Sequence, residues 1–205
     1  MTSNIGGVSG TTTIPAQQGV ARFTDLALQG VAGTRTLLFT AGNLITAASD
    51  GVDLAPGPVS SIALVSSALR LRSGVLAGAN GVVAQLRDQD GNAVALSGRR
   101  VVAAVTGGIG STTVSGTTTT TDAQGRAVFS ALTVTGTAGT RSLAVTADSI
   151  ATPATATVTL RGGVPTRVVI DRDVPATIDA GIAIQPAPVA VSYTHLRAHE
   201  TKANL

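Results

Sequence analysis

Apolar and polar residues alternate with a period of two along much of the chain. Val82, Ala84 and Leu86 alternate with Val83, Gln85 and Arg87, and Ala127 and Phe129 alternate with Arg126, Val128 and Ser130. Leu143, Val145 and Ala147 alternate in the same way with Ser142, Ala144 and Thr146. A strand turns successive side chains to opposite faces, so this period predicts strands that bury one face and expose the other. Val and Thr supply the β-branched side chains that suit a pleated surface. Turn chemistry separates the runs at Asp90-Gly91-Asn92, Gly107-Gly108, Ala123-Gln124-Gly125 and Gly136 to Gly139. Short strands punctuated every ~8–12 residues predict an all-β fold of the sandwich type. No stretch combines a 3.6-residue period with caps, so no helix is expected.

The pattern is duplicated. VSGTTTIPAQQGVARFTDLALQGVAGTRTLLFTA starts at Val8 and VSGTTTTTDAQGRAVFSALTVTGTAGTRSLAVTA starts at Val114, an offset of 106 residues. Residues 8–54 and 114–160 share 23 identities in 47 ungapped positions. The correspondence continues: SSIALV at Ser60 matches TRVVID at Thr166, and SGVLAGANGVVAQ at Ser73 matches AGIAIQPAPVAV at Ala180 after a one-residue shift. A unit of this length is an autonomous domain rather than a solenoid repeat. The expected organisation is the C-terminal half of one domain at 1–57, a complete domain at 58–162, the N-terminal part of a third at 163–190, and a separate tail at 191–205. Pro56-Gly57-Pro58 and Gly162-Gly163-Val164-Pro165 occupy equivalent places and read as semi-stiff linkers. Partial sandwiches leave apolar faces uncovered, so only residues 58–162 are expected to be stable alone, unless the two fragments pair with each other.

TDAQGRAVFSALTVTGTAGTRSLAVTA resembles the C-terminal half of bacterial immunoglobulin-like domains of the invasin and intimin type, where a T-D-x-x-G-x-A-x-F segment precedes G-x-x-G-T-x-x-L. VVAQLRDQDGNAVA resembles their early strand and D-x-x-G-N turn. The likeness extends in effect over residues 8–190 and implies tandem immunoglobulin-like β-sandwiches, one complete and two partial, in a secreted or cell-surface bacterial repeat protein. It also implies a non-catalytic spacer or adhesion module whose partners are neighbouring repeats and a host-surface, cell-wall or glycan ligand of unknown identity. Many relatives carry Tyr after the G-T, where this chain has Arg35 and Arg141. Arg has no hydroxyl with which to make the corner hydrogen bond that such a Tyr would make.

Composition narrows the chemistry. Residues 1–190 contain no Lys, His, Tyr, Glu or Cys, and balance twelve Arg against ten Asp. Only Asp, Arg, Ser and Thr remain for catalysis, and a hydroxyl nucleophile needs a base beside it. No catalytic, cofactor-binding or metal-binding residue is assigned, and no cofactor is expected. With few clustered cations and only Phe23, Phe39 and Phe129 as aromatics in the body, nucleic acid is not an expected partner. No apolar run approaches the ~20 residues of a membrane helix, and no signal peptide is visible. A glycan site normally presents aromatic platforms, and the body has no Trp or Tyr. A carbohydrate-binding or weak calcium-binding sandwich, appended to an enzyme in a longer parent, is the alternative reading.

Three stretches invite a chemical reading. Asp88-Gln89-Asp90-Gly91-Asn92 looks calcium-like, yet no EF-hand register fits: starting at Asp88 puts Ala93 where Gly is needed and Arg99 where the bidentate Glu is needed. A tight turn is the expectation. The threonines at 117–121, echoed at 11–13, read as an exposed strand approaching the Asp122 turn rather than as a glycosylated strip. In the tail, His195 and His199 stand at i and i+4 beside Glu200, but the order H-L-R-A-H-E is not H-E-x-x-H. VSYTHLRAHET, from Val191 to Thr201, resembles one reading frame of the transposon adapter used in a common sequencing-library method. On that reading residues 191–205 are not native sequence.

Overall fold

A computed structural model of the chain describes residues 2–3, 7–66, 68–78 and 81–193. The described residues form strands and turns with no helix. The N-terminal segment carries β1 (Thr2–Ser3), β2 (Gly7–Ser9), β3 (Ala27–Gln29), β4 (Gly33–Arg35), β5 (Leu37–Phe39), β6 (Ala47–Ala48) and β7 (Val52–Leu54). The central region carries β8 (Ser61–Leu64), β9 (Ala68–Arg72), β10 (Val83–Arg87), β11 (Arg100–Thr106), β12 (Thr112–Ser115), β13 (Thr118–Thr120), β14 (Arg126–Val128), β15 (Thr133–Gly136), β16 (Gly139–Ala147) and β17 (Ala154–Arg161). The C-terminal segment carries β18 (Arg167–Arg172) and β19 (Val189–Tyr193).

The central region is an immunoglobulin-like sandwich. One sheet has the order β14-β10-β8 and the other β13-β11-β16-β17-β9, with the β12-β15 pair beside them. Strand β8 pairs antiparallel with β10, whereas the next strand, β9, lies parallel to β17 in the opposite sheet. The chain thus crosses between sheets at its first strand, and the two inner faces meet in one core. Phe129, Leu86, Leu132, Leu143 and Leu160 are its largest fully buried side chains. Every member of the buried cluster lies between Ile62 and Leu160.

Alternation holds on β16, where Leu143, Val145 and Ala147 are buried and Ser142 and Thr146 exposed. It fails on β10. Val83 and Gln85, expected on an exposed face, are buried along with Ala84 and Leu86. This strand is central in its sheet, and the 124–125 turn covers its outer side. Gln85 Nε2 donates to the carbonyls of Leu86, Gln124 and Gly125, which satisfies the buried amide.

Turn chemistry explains the Thr121–Gly125 stretch, whose first two positions are Pro15 and Ala16 in the first copy. Asp122 Oδ1 accepts the N–H groups of Gln124 and Arg126 at 2.9 and 2.8 Å. Gly125 then turns at φ +73°, where a Cβ would strike the Val94 carbonyl. The preceding Thr121 Oγ1 accepts the Arg99 N–H and donates to Leu96 O, anchoring the edge strand β13. The threonines of β13 alternate between exposed and half-buried positions, as an edge strand beside β11 requires.

The flanking segments follow the repeat. At the offset of 106, Val8 opposite Leu28 reproduces Val114 opposite Val134, and Arg35 opposite Val52 reproduces Arg141 opposite Val158. Further along, Leu38 faces Ala48, one residue out of step with the Ala144–Thr155 pair. At the C-terminal end β18 and β19 form an antiparallel pair, with Val168 and Ile170 exposed.

Candidate functional site

The best-organised polar cluster is the Asp88–Asn92 turn after β10. Asp88 is buried, and its carboxylate accepts four hydrogen bonds. Oδ1 takes the N–H groups of Asp90 at 3.0 Å and Asn92 at 2.8 Å. Oδ2 takes the Asn92 Nδ2 group and the Gly57 N–H, both at 2.8 Å. The Asn92 carboxamide bond holds the Asp88 carboxyl below its ordinary value of 3.8, burial opposes that shift, and the N–H groups of Gly57, Asn92 and Asp90 reinforce it. The local geometry repeats that of Asp122, where one carboxylate oxygen also accepts the N–H groups two and four residues on. A carboxylate filled by four N–H donors offers no lone pair to a cation, so the turn is built as a backbone clamp. Among the described residues no group of three or more His, Cys, Asp and Glu side chains could hold a metal ion.

Asn92 also reaches across to the N-terminal segment. Its Oδ1 accepts the Ala32 N–H at 2.7 Å, and its Nδ2 donates to Gly30 O at 3.0 Å. The amide orientation is dictated chemically, because Nδ2 faces two oxygens and Oδ1 faces an N–H. One turn therefore grips the linker through Asp88 and the preceding copy through Asn92.

The loop that Asn92 contacts is held by a buried arginine. Arg35 donates through Nη2 to Val31 O and through Nη1 to Thr34 O at 3.4 Å. In the second copy Arg141 makes the equivalent bonds, to Thr137 O at 2.8 Å and Thr140 O at 3.2 Å, and adds Ile109 O and Thr112 Oγ1. Each guanidinium ties down the carbonyls of a G-x-A-G-T loop from the residue that follows the G-T. Arg35 Nε is buried without a partner, whereas Arg141 Nε bonds to Thr112. The residue at the position equivalent to Thr112 is Gly6, which has no hydroxyl.

An open cleft of about 520 Å³ lies in the N-terminal segment, lined by Phe23, Phe39, Leu44 and Ile45 among others. Phe23 and Phe39 meet in a tilted pair, with ring centroids 5.6 Å apart and planes at 55°. His195, His199 and Glu200 lie outside the described residues, while β19 takes in Val191, Ser192 and Tyr193. The joint at Asn92 was not visible in the sequence, because its partners are about 60 residues away. The buried arginine had a signal: it recurs at an inward position of the strand after G-T.

No protein-family model matches the chain, and no curated protein matches it. Among solved structures, the D0–D1 domain of intimin is 17% identical, with 75% of this chain and 78% of that chain covered at a TM-score of 0.32. InvD of Yersinia pseudotuberculosis is 19% identical over 86% of this chain and 51% of that chain, at 0.32. A glycosyl hydrolase family 2 member from Bacteroides cellulosilyticus is 17% identical over 66% of this chain and 18% of that chain, at 0.38. The immunoglobulin-like assignment rests on the strand order and crossover of the central region, not on these likenesses. No helix among the described residues is long and apolar enough to cross a membrane.

Proposed function

We propose that the chain is part of a non-catalytic spacer or adhesion module, built from tandem immunoglobulin-like repeats in a secreted or cell-surface protein. One observation carries this reading: the most elaborate polar cluster joins one repeat to the next, through Asp88 to the linker and Asn92 to the Gly30–Ala32 loop. Short linkers between sandwiches give length for little sequence. The units are residues 1–57, 58–162 and 163–190, with residues 191–205 derived from an adapter. The Thr121 and Ser73 hydroxyls bond to backbone groups, and the Thr11 and Thr34 hydroxyls donate to the carboxylates of Asp25 and Asp53 on the exposed surface.

A glycan array probed with the 205-residue chain tests the reading. No reproducible binding is expected at millimolar glycan, and specific binding would replace the spacer with a carbohydrate-recognition module. Limited proteolysis tests the unit boundaries. Protection of residues 58–162 with loss of both flanks is expected, and survival of the whole chain counts against the division.

A further inference from the structure

The two copies of the G-x-A-G loop have the same sequence frame and the same arginine lock but different surroundings. Gly30, Ala32, Gly33, Thr34 and Arg35 correspond to Gly136, Ala138, Gly139, Thr140 and Arg141. Ala32 is half-buried under Asn92, while Ala138 is exposed. The second loop lies where the chain leaves the central sandwich. Ser73 Oγ donates to Gly136 O and accepts the Gly136 N–H, both at 3.0 Å. A Cβ on Gly163, the counterpart of Gly57 in the first linker, would stand 2.9 Å from the Ser73 carbonyl. Whatever follows Gly163 therefore emerges beside the Gly136–Gly139 loop, as the central repeat emerges beside Gly30–Gly33.

We propose that the Asp88–Asn92 turn and the G-x-A-G loop are the two halves of a repeating joint, and that the Gly136–Gly139 loop is the docking surface for the D-x-D-G-N turn of a following repeat. This rests on the tandem-repeat reading above and names the partner of its exposed end. Asn92 recognises the first loop through one N–H and one carbonyl two residues apart, a spacing that a single carboxamide spans. The second loop presents the same pair. Its Gly136 carbonyl already accepts one bond from Ser73 and retains a second lone pair for a carboxamide donor. The arginine behind each loop bonds the carbonyl of Val31 or Thr137, which belongs to the same planar peptide as the Ala32 or Ala138 N–H and so fixes the direction of that donor. Because Asp88 binds the Gly57 N–H while bonding to the Asn92 amide, linker and loop are held by one side-chain pair, and the angle between repeats is set rather than free.

The joint is tested first on the 205-residue chain. It has no cysteine, so Thr24→Cys and Thr118→Cys, both at exposed positions, place one spin label in each copy. A narrow inter-label distance distribution is expected, with clear broadening in Asn92→Ala; an equally broad distribution before the substitution overturns the joint. Amide exchange supplies a second readout. Asn92→Ala should speed exchange at Ala32 by about tenfold while the Val82 and Phe129 amides keep their rates, which excludes unfolding as the cause. Unchanged exchange at Ala32 overturns the contact.

The docking surface is tested by inserting a second copy of residues 58–163 after Gly163, which keeps the 106-residue period and the linker glycine whose N–H the aspartate accepts. Slowed exchange at Ala138, lost again when the inserted copy carries the Asn-to-Ala change, is expected. An Ala138 amide that exchanges as fast as in the uninserted chain overturns it. Specific glycan binding with the joint intact would remove the spacer reading and leave this inference standing.

Discussion

Residues 8–54 and 114–160 share nearly half their sequence, yet they live in different environments. Phe129, Leu132, Val134, Leu143 and Val145 are fully buried, while their counterparts Phe23, Leu26, Leu28, Leu37 and Phe39 are only half-buried. The local structure is nonetheless reproduced. Gly10 and Gly116, at φ +89° and +64°, each press against a backbone carbonyl, Asp25 in one copy and Ala131 in the other. What differs is the cover. In the central region β8, β10 and β11 lie across or beside these strands. The same side chains therefore form a core in one place and an open cleft in the other, because burial belongs to the partner sheet and not to the strand.

The comparison breaks most sharply at the paired phenylalanines. Phe129→Ala should destabilise the central sandwich by about 3–5 kcal/mol, the cost of a buried aromatic plus its cavity. Phe23→Ala should cost the N-terminal segment about 1 kcal/mol, chiefly its tilted ring contact with Phe39. Urea unfolding followed by amide exchange in each region measures both. Equal costs would mean that the N-terminal copy is as well covered as the central one.

The arginines sharpen it next. Arg141→Ala leaves the carbonyls of Thr137, Thr140 and Ile109 without their buried donor and should cost about 2–3 kcal/mol. Arg35→Ala, which removes fewer bonds and also removes the unpartnered Nε, should cost about 1 kcal/mol. Thermal denaturation of the two variants ranks them, and a larger loss for Arg35 would reverse the assignment.

The smallest effect is in pH. Asp88 and Asp25 both titrate below their ordinary value of 3.8, Asp88 chiefly through the Asn92 carboxamide and Asp25 chiefly through the Thr11 hydroxyl. A carboxyl whose folded value is depressed contributes stability that is fully present above its unfolded value and lost as pH falls through the folded one. Stability should therefore decline below about pH 4. Asp88→Asn should flatten part of that decline in the central region, and Asp25→Asn should do so only in the N-terminal segment. A parent chain whose midpoint is constant down to pH 2 would remove the linkage.

Strand positions and turns could be read along the chain because both are short-range. Leu143, Val145 and Ala147 alternate inward, and the Asp122 and Asp88 turns are dictated by a carboxylate that reaches N–H groups two and four residues away. Gln85 could not be read, since an alternating strand says nothing about whether a distant turn will cover its polar side. The arginines were legible as a departure from the Tyr of similar domains but not as locks, because Arg141 finds Ile109 O and Thr112 Oγ1 about 30 residues away and Arg35 meets Val31 O and Thr34 O only once its own loop has folded.

By itself the sequence determined the all-β class, the 106-residue repeat and the turns, each of which follows from neighbours a few residues apart. Tertiary structure alone decided that both faces of β10 are buried and what Asn92 grips. Burial needs a second sheet, and a carboxamide needs a donor and an acceptor that the chain brings to it from about 60 residues away.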